Sequence, residues 1–283
     1  MHKFELVLLG GPNSGKTHYA GQLYGRLQQR TGALRLRTDQ GTPPDLSALK
    51  EVLDALNAGH AARHTPASVS LEILLPLTDE QGNTLDLHWP DYGGEQLSAV
   101  FDQRGVQEAW RDKLTKAEGW VLLIRLQSAT TYPDELGALV QRAGGKLDAS
   151  ISRGPGWDAN AYWVELLQLL LHVSGHGSVR RITLPRLTIL LSCYDELGPT
   201  DLTPAERLAE KLPLLSAFIA SVWRPEAISV WGLSALGRAL EKDSKDEDFQ
   251  NEGPESQGWV ISPSGGEPDA DLSKPLAWLL STP

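Results

Sequence analysis

The stretch GGPNSGKT, residues 10–17, decides the fold that this sequence predicts. It follows the apolar run FELVLL, which is typical of a short buried strand, and it precedes Tyr19, Leu23 and Leu27, which recur at helical spacing. The stretch matches the pattern G-x-x-x-x-G-K-T/S in the order that the pattern requires: strand, loop and then helix. We therefore predict a phosphate-binding loop at the start of an α/β domain.

Each residue type in this loop has a chemical reason to be there. Gly10 and Gly15 let the backbone wrap around an oxyanion, and the N–H groups of the helix N-terminus point at it. The Lys16 ammonium would neutralise the β and γ phosphates of a nucleoside triphosphate, and the Thr17 hydroxyl would bind Mg²⁺. A glycine-rich turn that matches by chance is the alternative. The predicted binding residues are Gly10, Asn13, Ser14, Gly15, Lys16 and Thr17.

Composition limits the classes of protein that fit. The chain has 283 residues, is 41% hydrophobic and carries a formal net charge of -10, so a sizeable core is possible while a dominant nucleic-acid or anionic-membrane surface is disfavoured. The single cysteine, Cys193, allows no internal disulfide. No run is long and apolar enough for a membrane span, and the N-terminal run reads as a strand and not as a signal peptide. We expect a cytoplasmic protein without an evident nucleic-acid site.

Alternating strand and helix patterns follow the loop. Residues 68–89 alternate around the turn DEQGN and predict an antiparallel hairpin, whereas the later runs GWVLLIRL and PRLTILLSC are typical of buried parallel strands. The predicted fold is an α/β P-loop NTPase, a three-layer α/β/α sandwich with a mostly parallel sheet and one antiparallel hairpin strand.

Three parts of the chain differ in pattern. The charge-dense stretch EKDSKDEDFQNEGPESQ lacks periodicity, which is typical of a solvated loop. We predict a P-loop domain at residues 1–240 with a helical insertion at 127–185, an acidic flexible loop at 241–257, and a C-terminal extension at 258–283 that packs on the same domain.

Two further segments supply groups for a triphosphate and its metal. Asp91 ends the strand LDLHWPD and begins the pattern D-x-x-G, in which the backbone of Gly94 can meet a γ-phosphate. Thr65, in the loop before the hairpin, could close over Mg²⁺. The alternatives are a surface acid in a turn for Asp91, and for Thr65 a residue that only opens a turn with Pro66. Thr38 and Thr42 are rival candidates for the role of Thr65.

A base-reading acid is predicted at the end of a later strand. Asp195, in LSCYDEL, can accept two hydrogen bonds from the N1–H and amino groups of guanine, whereas adenine presents a bare acceptor at N1. Ser192 and Cys193 stand where a guanine-reading protein usually carries Asn and Lys, so affinity is expected to suffer more than selectivity. An acid that caps the turn is the alternative.

The order of these motifs resembles the translation-factor-like (TRAFAC) class of P-loop GTPases, which are small-GTPase-like in fold. That order is the phosphate loop, a threonine loop, the hairpin, D-x-x-G, a strand ending in Asp and a strand ending in SAL. The phrases LLSCYDEL, PDYGGE, GLSAL and GWVISPSGG look most like the bacterial double-GTPase families of conflict or defence systems.

The resemblance implies a role for each matching residue. It implies that Lys16 and Thr17 bind GTP or GDP and Mg²⁺, that Thr65, Asp91 and Gly94 belong to two switch loops, that Asp195 and Ser192 lie at the guanine-reading loop, and that Ser234 and Ala235 lie beside the base. Glu95 stands where many members carry a glutamine that orients the attacking water, and Gln96 follows it.

This departure affects the expected turnover. A carboxylate near the γ-phosphate is repelled, so we expect slow or partner-stimulated hydrolysis, with Lys16, Glu95 and Gln96 as the candidate catalytic residues. A protein effector or activating partner is expected, with the 127–185 insertion as its candidate surface. The alternatives are an ATP-using P-loop NTPase or kinase, and a catalytically weak pseudo-GTPase that serves as a scaffold.

Overall fold

The computed structural model describes residues 4–11, 13–29, 32–37, 45–62, 71–91, 97, 100–101, 103–127, 159–177 and 180–281, with residues 71–72, 90–91 and 109 described by their backbone alone. The strands of this part of the chain form one eight-stranded sheet in the order β2-β3-β4-β1-β5-β6-β7-β8. They are β1 (Phe4–Gly10), β2 (Arg35–Leu36), β3 (Leu71–Thr78), β4 (Thr84–Asp91), β5 (Gly119–Arg125), β6 (Arg186–Ser192), β7 (Ile228–Ser234) and β8 (Trp259–Ile261).

Helices connect these strands and cover both faces of the sheet. They are α1 (Lys16–Gln29), α2 (Ser47–Asn57), α3 (Glu108–Lys116), α4 (Ala159–Val173), α5 (Pro204–Lys211), α6 (Pro213–Val222), α7 (Glu247–Glu252) and α8 (Lys274–Leu280). Short 3-10 turns occupy residues Tyr194–Leu197, Pro225–Ala227 and Pro254–Ser256. The β/α alternation read from the sequence is therefore the main plan of the chain.

The centre of the sheet is parallel, as predicted. Strand β1 pairs in parallel with both β4 and β5, and the parallel pairing continues through β6 to β7. The predicted hairpin is the antiparallel pair β3 and β4. Two short antiparallel strands at the sheet edges, β2 and β8, were not predicted, because two and three residues are too few to show a period in sequence.

Both faces of the central strands are buried, which makes the three-layer sandwich. In β1, Val7 and Leu9 pack into one core with helices α3 to α6, whereas Leu6 and Leu8 pack into a second core with α1, α2 and α8. Successive side chains of a strand point to opposite faces, so a strand between two helix layers has to be apolar on both. The predicted fold class is confirmed.

Helix α4 lies in the segment 127–185, of which residues 128–158, 178 and 179 are outside the described part. Its side chains Tyr162, Leu166 and Leu170 are buried in the core that α6 also covers. A parallel connection from β5 to β6 needs a crossover, and α4 supplies the packed helix of that crossover. Helix α4 is thus a core element.

The acidic segment 241–257 contains a helix, whereas the sequence predicts an irregular loop. Asp246 caps α7 by accepting hydrogen bonds from the N–H groups of Asp248 and Phe249, and Phe249 is fully buried. The Arg238 guanidinium donates to both carboxylate oxygens of Asp246 and holds the pKa of that carboxyl at about 2. The dense charge of this segment led to the prediction of a loop, because the helix cap Asp246 and its partner Arg238 are themselves charged residues.

A buried arginine of α1 makes hydrogen bonds to the C-terminal part of the chain. Arg26 donates from Nε to the carbonyl of Ala270 at 2.8 Å and from Nη2 to the carbonyl of Gln257 at 2.5 Å. Its Nη1 donates to the side-chain oxygen of Gln22 at 2.6 Å. Because α1 carries Lys16 in its first turn, this contact connects the helix of the phosphate loop to the segment that precedes β8.

Candidate nucleotide-binding site

The carboxyl ends of β1, β5, β6 and β7 meet at one edge of the sheet. The parallel register pairs Gly10 with Leu123, Arg125 with Ser192, and Ser192 with Leu233. Loops that leave parallel strands at this edge face one crevice, which is the usual place for a ligand in an open α/β sheet. The predicted phosphate loop and the predicted base-reading loop both start there.

The phosphate loop has a backbone shape that requires small residues. Gly15 has φ +76°, in the region that favours glycine, and Asn13 has φ 55°. A Cβ added to Gly10 would lie 2.8 Å from Ser14 Oγ and 3.1 Å from Lys16 Cδ, so a larger residue would displace those two side chains. The cradle predicted from the motif is therefore formed by the described residues.

Lys16 is held inside this cradle. Its Nζ donates to the carbonyls of Gly10 and Gly11 at 2.7 and 2.8 Å and to Ser14 Oγ at 3.3 Å. The ammonium is thus fixed over the loop, next to the N-terminus of α1, where an anion would be bound. Thr17 follows Lys16 in the first turn of α1, so its side chain begins next to the phosphate loop.

The base-reading loop holds its carboxylate by hydrogen bonds. Ser234 Oγ donates to Asp195 Oδ1 at 2.5 Å and accepts from the N–H of Gly237 at 2.9 Å. Within the described part of the chain, the other oxygen of Asp195, Oδ2, accepts no hydrogen bond and is available to a donor on a ligand. The final strand predicted to end in SAL thus orients the acid predicted to read the base.

Ala235 is positioned by the segment before β8. A Cβ on Gly258, which has φ +80°, would lie 2.3 Å from the carbonyl oxygen of Ala235. Only a glycine therefore permits this close approach of two backbones. The loop that carries Ser234 and Ala235 rests on the same segment that Arg26 holds to α1.

Ser192 and Cys193 have different surroundings. Ser192 Oγ is buried and has no hydrogen-bond partner among the described residues. In this part of the chain its side chain therefore does not brace the base-reading loop by a hydrogen bond. Cys193 has φ 51°, and its Sγ lies 3.9 Å from the position that a Cβ on Gly15 would take. The base-reading loop therefore lies close to the phosphate loop at Cys193.

The Cys193 thiol is expected to react slowly, because burial raises its pKa to about 11. At pH 8 its alkylation should be about 100-fold slower than that of a free cysteine, and the rate should rise with pH toward about 11 as the thiolate forms. Mass spectrometry of the iodoacetamide-treated protein measures this directly, since the chain has one cysteine. Urea-unfolded protein is the control; equal rates in folded and unfolded protein would contradict the prediction.

The segment predicted to bind Mg²⁺ is described only at Asp91, and there by its backbone. Val7 of β1 pairs with His88 of β4, and Gly10 and Asp91 each lie three residues further along these parallel strands. Strand β4 therefore ends beside the phosphate loop, as the D-x-x-G reading requires. The predicted residues Thr65, Gly94, Glu95 and Gln96 lie outside the described residues.

An ion pair that the sequence analysis missed lies between the two loops. Arg125, the last residue of β5, donates from Nε to Glu196 Oε2 at 3.0 Å, and its Nη2 makes a second short bond to Oε1. Its Nη1 also reaches the carbonyl of Asn13 at 3.5 Å. The available signal was a charge at the carboxyl end of an otherwise apolar buried strand.

These features together define the class of protein. A cradle with a fixed ammonium at the end of β1, and a hydrogen-bonded carboxylate loop at the end of β6, form the site of a P-loop nucleotide-binding protein. The model of the Double-GTPase 1 family matches residues 7–279, so the chain belongs to that family. It is a GTP-binding protein, and the resemblance stated from its motifs is confirmed at the level of P-loop GTPases.

Solved structures with a similar chain course are distant. The small GTPase Arl6 (BBS3) from Trypanosoma brucei is 13% identical over 90% of this chain and 99% of its own, with a TM-score of 0.38. A chain of the signal recognition particle receptor SRb-GTP/SRX complex from Chaetomium thermophilum is 14% identical over 89% of this chain and 98% of its own, with a TM-score of 0.38. The GTP-bound GTPase-like domain of Ski7 from S. cerevisiae is 15% identical over 82% of this chain and 43% of its own, with a TM-score of 0.41. No curated protein matches the chain significantly.

The described residues contain neither a cluster of metal ligands nor a membrane-spanning helix. Among those residues, no group of three or more His, Cys, Asp or Glu side chains is placed to hold a metal ion. In the same part of the chain, no helix combines the length and the apolar character that crossing a bilayer requires.

Proposed function

We propose that the protein is a Mg²⁺-dependent GTP switch with slow or partner-stimulated hydrolysis. The observation that carries this proposal is the pairing of Lys16, fixed over the phosphate loop, with Asp195, oriented by Ser234 at the same edge of the sheet. Because both residues lie at one edge of the sheet, they would suit a ligand with phosphates at one end and a base at the other. Family membership supports guanine as the base.

Base selectivity follows from the hydrogen-bonding capacity of Asp195. An ionised carboxylate only accepts hydrogen bonds, and guanine offers two neighbouring donors, its N1–H and its amino group. Adenine has an acceptor at N1, which faces the carboxylate without a proton. Since Ser234 donates to Oδ1 alone, the carboxylate keeps capacity for guanine on Oδ2.

The metal and switch residues belong to the proposal. Thr17, Thr65 and Asp91 would hold Mg²⁺ through oxygen atoms, which this ion prefers. Bound Mg²⁺ supplies positive charge that neutralises the β and γ phosphates. Loops containing Thr65 and Asp91 would be ordered by the γ-phosphate and released after its loss, which makes the protein a switch.

Hydrolysis would proceed by in-line attack of water on the γ-phosphorus. Lys16 and the backbone amides of the phosphate loop spread the negative charge that develops on the phosphate oxygens. Glu95 would repel the γ-phosphate unless turned away, and Gln96 is the neighbouring group able to orient water. Slow turnover is therefore proposed, with an activating protein as the source of the missing group.

A bacterial conflict or defence role in the cytoplasm is proposed from the family resemblance.

Replacing Asp195 by alanine should weaken GTP and GDP binding at least about 100-fold while leaving ATP binding unchanged, because two guanine donors would be desolvated without an acceptor. Competition binding of GTP, GDP and ATP in the presence of Mg²⁺ measures this. The control is Asp201→Ala, which removes an exposed carboxylate near the same loop and should leave all three affinities unchanged.

A change of base tests the same contact in the opposite direction. Asp195→Asn places an amide donor at the site, and xanthine carries a carbonyl where guanine carries its amino group, so this variant should prefer XTP to GTP. Equal affinity of the wild-type protein for GTP and ATP would end the proposal. Nucleotide binding without any turnover would instead favour the scaffold alternative.

A further inference from the structure

Arg125 contacts both the phosphate loop and the base-reading loop by hydrogen bonds. It reaches the carbonyl of Asn13 in the phosphate loop and makes a two-bond ion pair with Glu196, the neighbour of Asp195. Its backbone position is fixed by the pairing of β5 with β6, in which Arg125 lies opposite Ser192. The guanidinium therefore spans the two loops from a rigid strand.

The base-reading loop has no cation of its own at this place. Cys193 holds the position where guanine-reading proteins usually carry a lysine, and its neutral thiol only packs near Gly15. A neutral thiol in this place forms no charged hydrogen bond to the phosphate loop. The cation that connects the loops instead comes from the end of the neighbouring strand.

Charge gives Arg125 a second role. Glu196 shares the Arg125 guanidinium with the phosphate loop, so without that cation its carboxylate would add uncompensated negative charge near a bound polyphosphate. Hydrogen bonding to Glu196 raises the pKa of Arg125, and the two-bond geometry is the arrangement in which Arg and carboxylate bind most strongly. The pair is about one third exposed on the arginine side, with 31% of that side chain accessible.

We propose that Arg125, held by Glu196, is a positioning residue for the nucleotide: it clamps the base-reading loop to the phosphate loop and replaces the cation that Cys193 does not supply. This inference rests on the proposed function, because it assumes that one nucleotide is bound by both loops. It assigns Arg125 to affinity and residence time, whereas Asp195 determines the base.

The first test is Arg125→Gln, measured by the dissociation rate of a fluorescent GDP analogue. The rate should rise about 10-fold because the charged link between the loops is lost, while the preference for guanine over adenine stays as in the wild type. Arg35→Gln is the matched control: it breaks an Arg–Glu pair with Glu80 at the far edge of the sheet and should leave the rate unchanged. An unchanged rate in Arg125→Gln would overturn the inference.

The second test asks whether the cation itself matters. Adding Cys193→Lys to Arg125→Gln places an ammonium next to Gly15 and gives Glu196 a new partner, so the slow dissociation should be restored at least in part. A purely structural role of Arg125 predicts no rescue, and that outcome would overturn the inference.

Glu196→Gln covers the case in which Arg125→Gln does not fold. It removes the bond that holds the guanidinium and should raise the dissociation rate in the same direction; an unchanged rate would again overturn the inference. If the wild-type protein binds no guanine nucleotide, the proposed function fails. If it binds and the Arg125 and Glu196 variants behave as wild type, only this inference fails.

Discussion

Replacing Lys16 by alanine is expected to weaken binding of GTP and GDP by at least about 100-fold while leaving the fold intact. The change removes the one cation that the cradle holds, and charge-assisted hydrogen bonds to phosphate are stronger than neutral ones. The ammonium donates to Gly10, Gly11 and Ser14 in the structure described here, and the bond to Ser14, at 3.3 Å, is the longest. It is the bond most easily exchanged for a phosphate oxygen.

Titration calorimetry with GDP and Mg²⁺ measures this loss, and thermal unfolding without nucleotide checks the fold. Lys50→Ala is the matched control, because Lys50 is an exposed lysine on α2 and its removal should change neither quantity. A Lys16→Ala protein that binds GDP as tightly as the wild type would show that the cradle is not the phosphate site. A fall in thermal stability alone would assign Lys16 to loop structure.

The motifs of the sequence predicted where the phosphate loop and the candidate base-reading residues lie in the fold. The phosphate loop could be predicted because strand, glycine spacing and lysine are consecutive in the chain. Asp195 could be predicted because the end of a buried strand fixes its place, and its partner Ser234 ends the next strand of the sheet. In each case the informative spacing is local, or follows from the order of parallel strands.

The contacts that the sequence did not predict depend on register and on distant packing. Arg125 and Glu196 are brought together because Arg125 lies opposite Ser192 when β5 pairs with β6, and no local pattern encodes that register. Likewise, α7 is stabilised by burial of Phe249 and by Arg238 outside the helix. A composition rule that treats dense charge as solvated does not detect charges that are paired with each other.

Replacing Arg26 by methionine is expected to lower the free energy of unfolding by about 3 kcal/mol, although the change removes a buried charge. Two effects oppose each other here. Burial lowers the pKa of Arg26 to about 10, so the folded state is disfavoured by a charge taken out of water. Against this, the guanidinium is the donor to the carbonyls of Gln257, Gly258 and Ala270. Methionine fills the space of the stem and leaves those carbonyls without their donor.

The pH dependence separates the two effects. Well below pH 10 Arg26 is protonated in both the folded and the unfolded protein, so the desolvation cost is fully present and constant. It is relieved only as pH rises above about 10, toward the higher ordinary pKa of arginine. Between pH 6 and 9 this arginine therefore adds no pH dependence, and the loss caused by Arg26→Met should be the same throughout that range.

Urea unfolding of the nucleotide-free protein measures the Arg26 effect, with Arg111→Met on an exposed face of α3 as the matched control. The same variant should also weaken GDP binding, because the segment that Arg26 holds supports Ala235 through Gly258. Saturating GDP should then stabilise Arg26→Met less than it stabilises the wild type, by mass action. A variant as stable as the wild type, or more stable, would mean that the buried charge costs at least as much as its hydrogen bonds return, and that other contacts hold the C-terminal segment to α1.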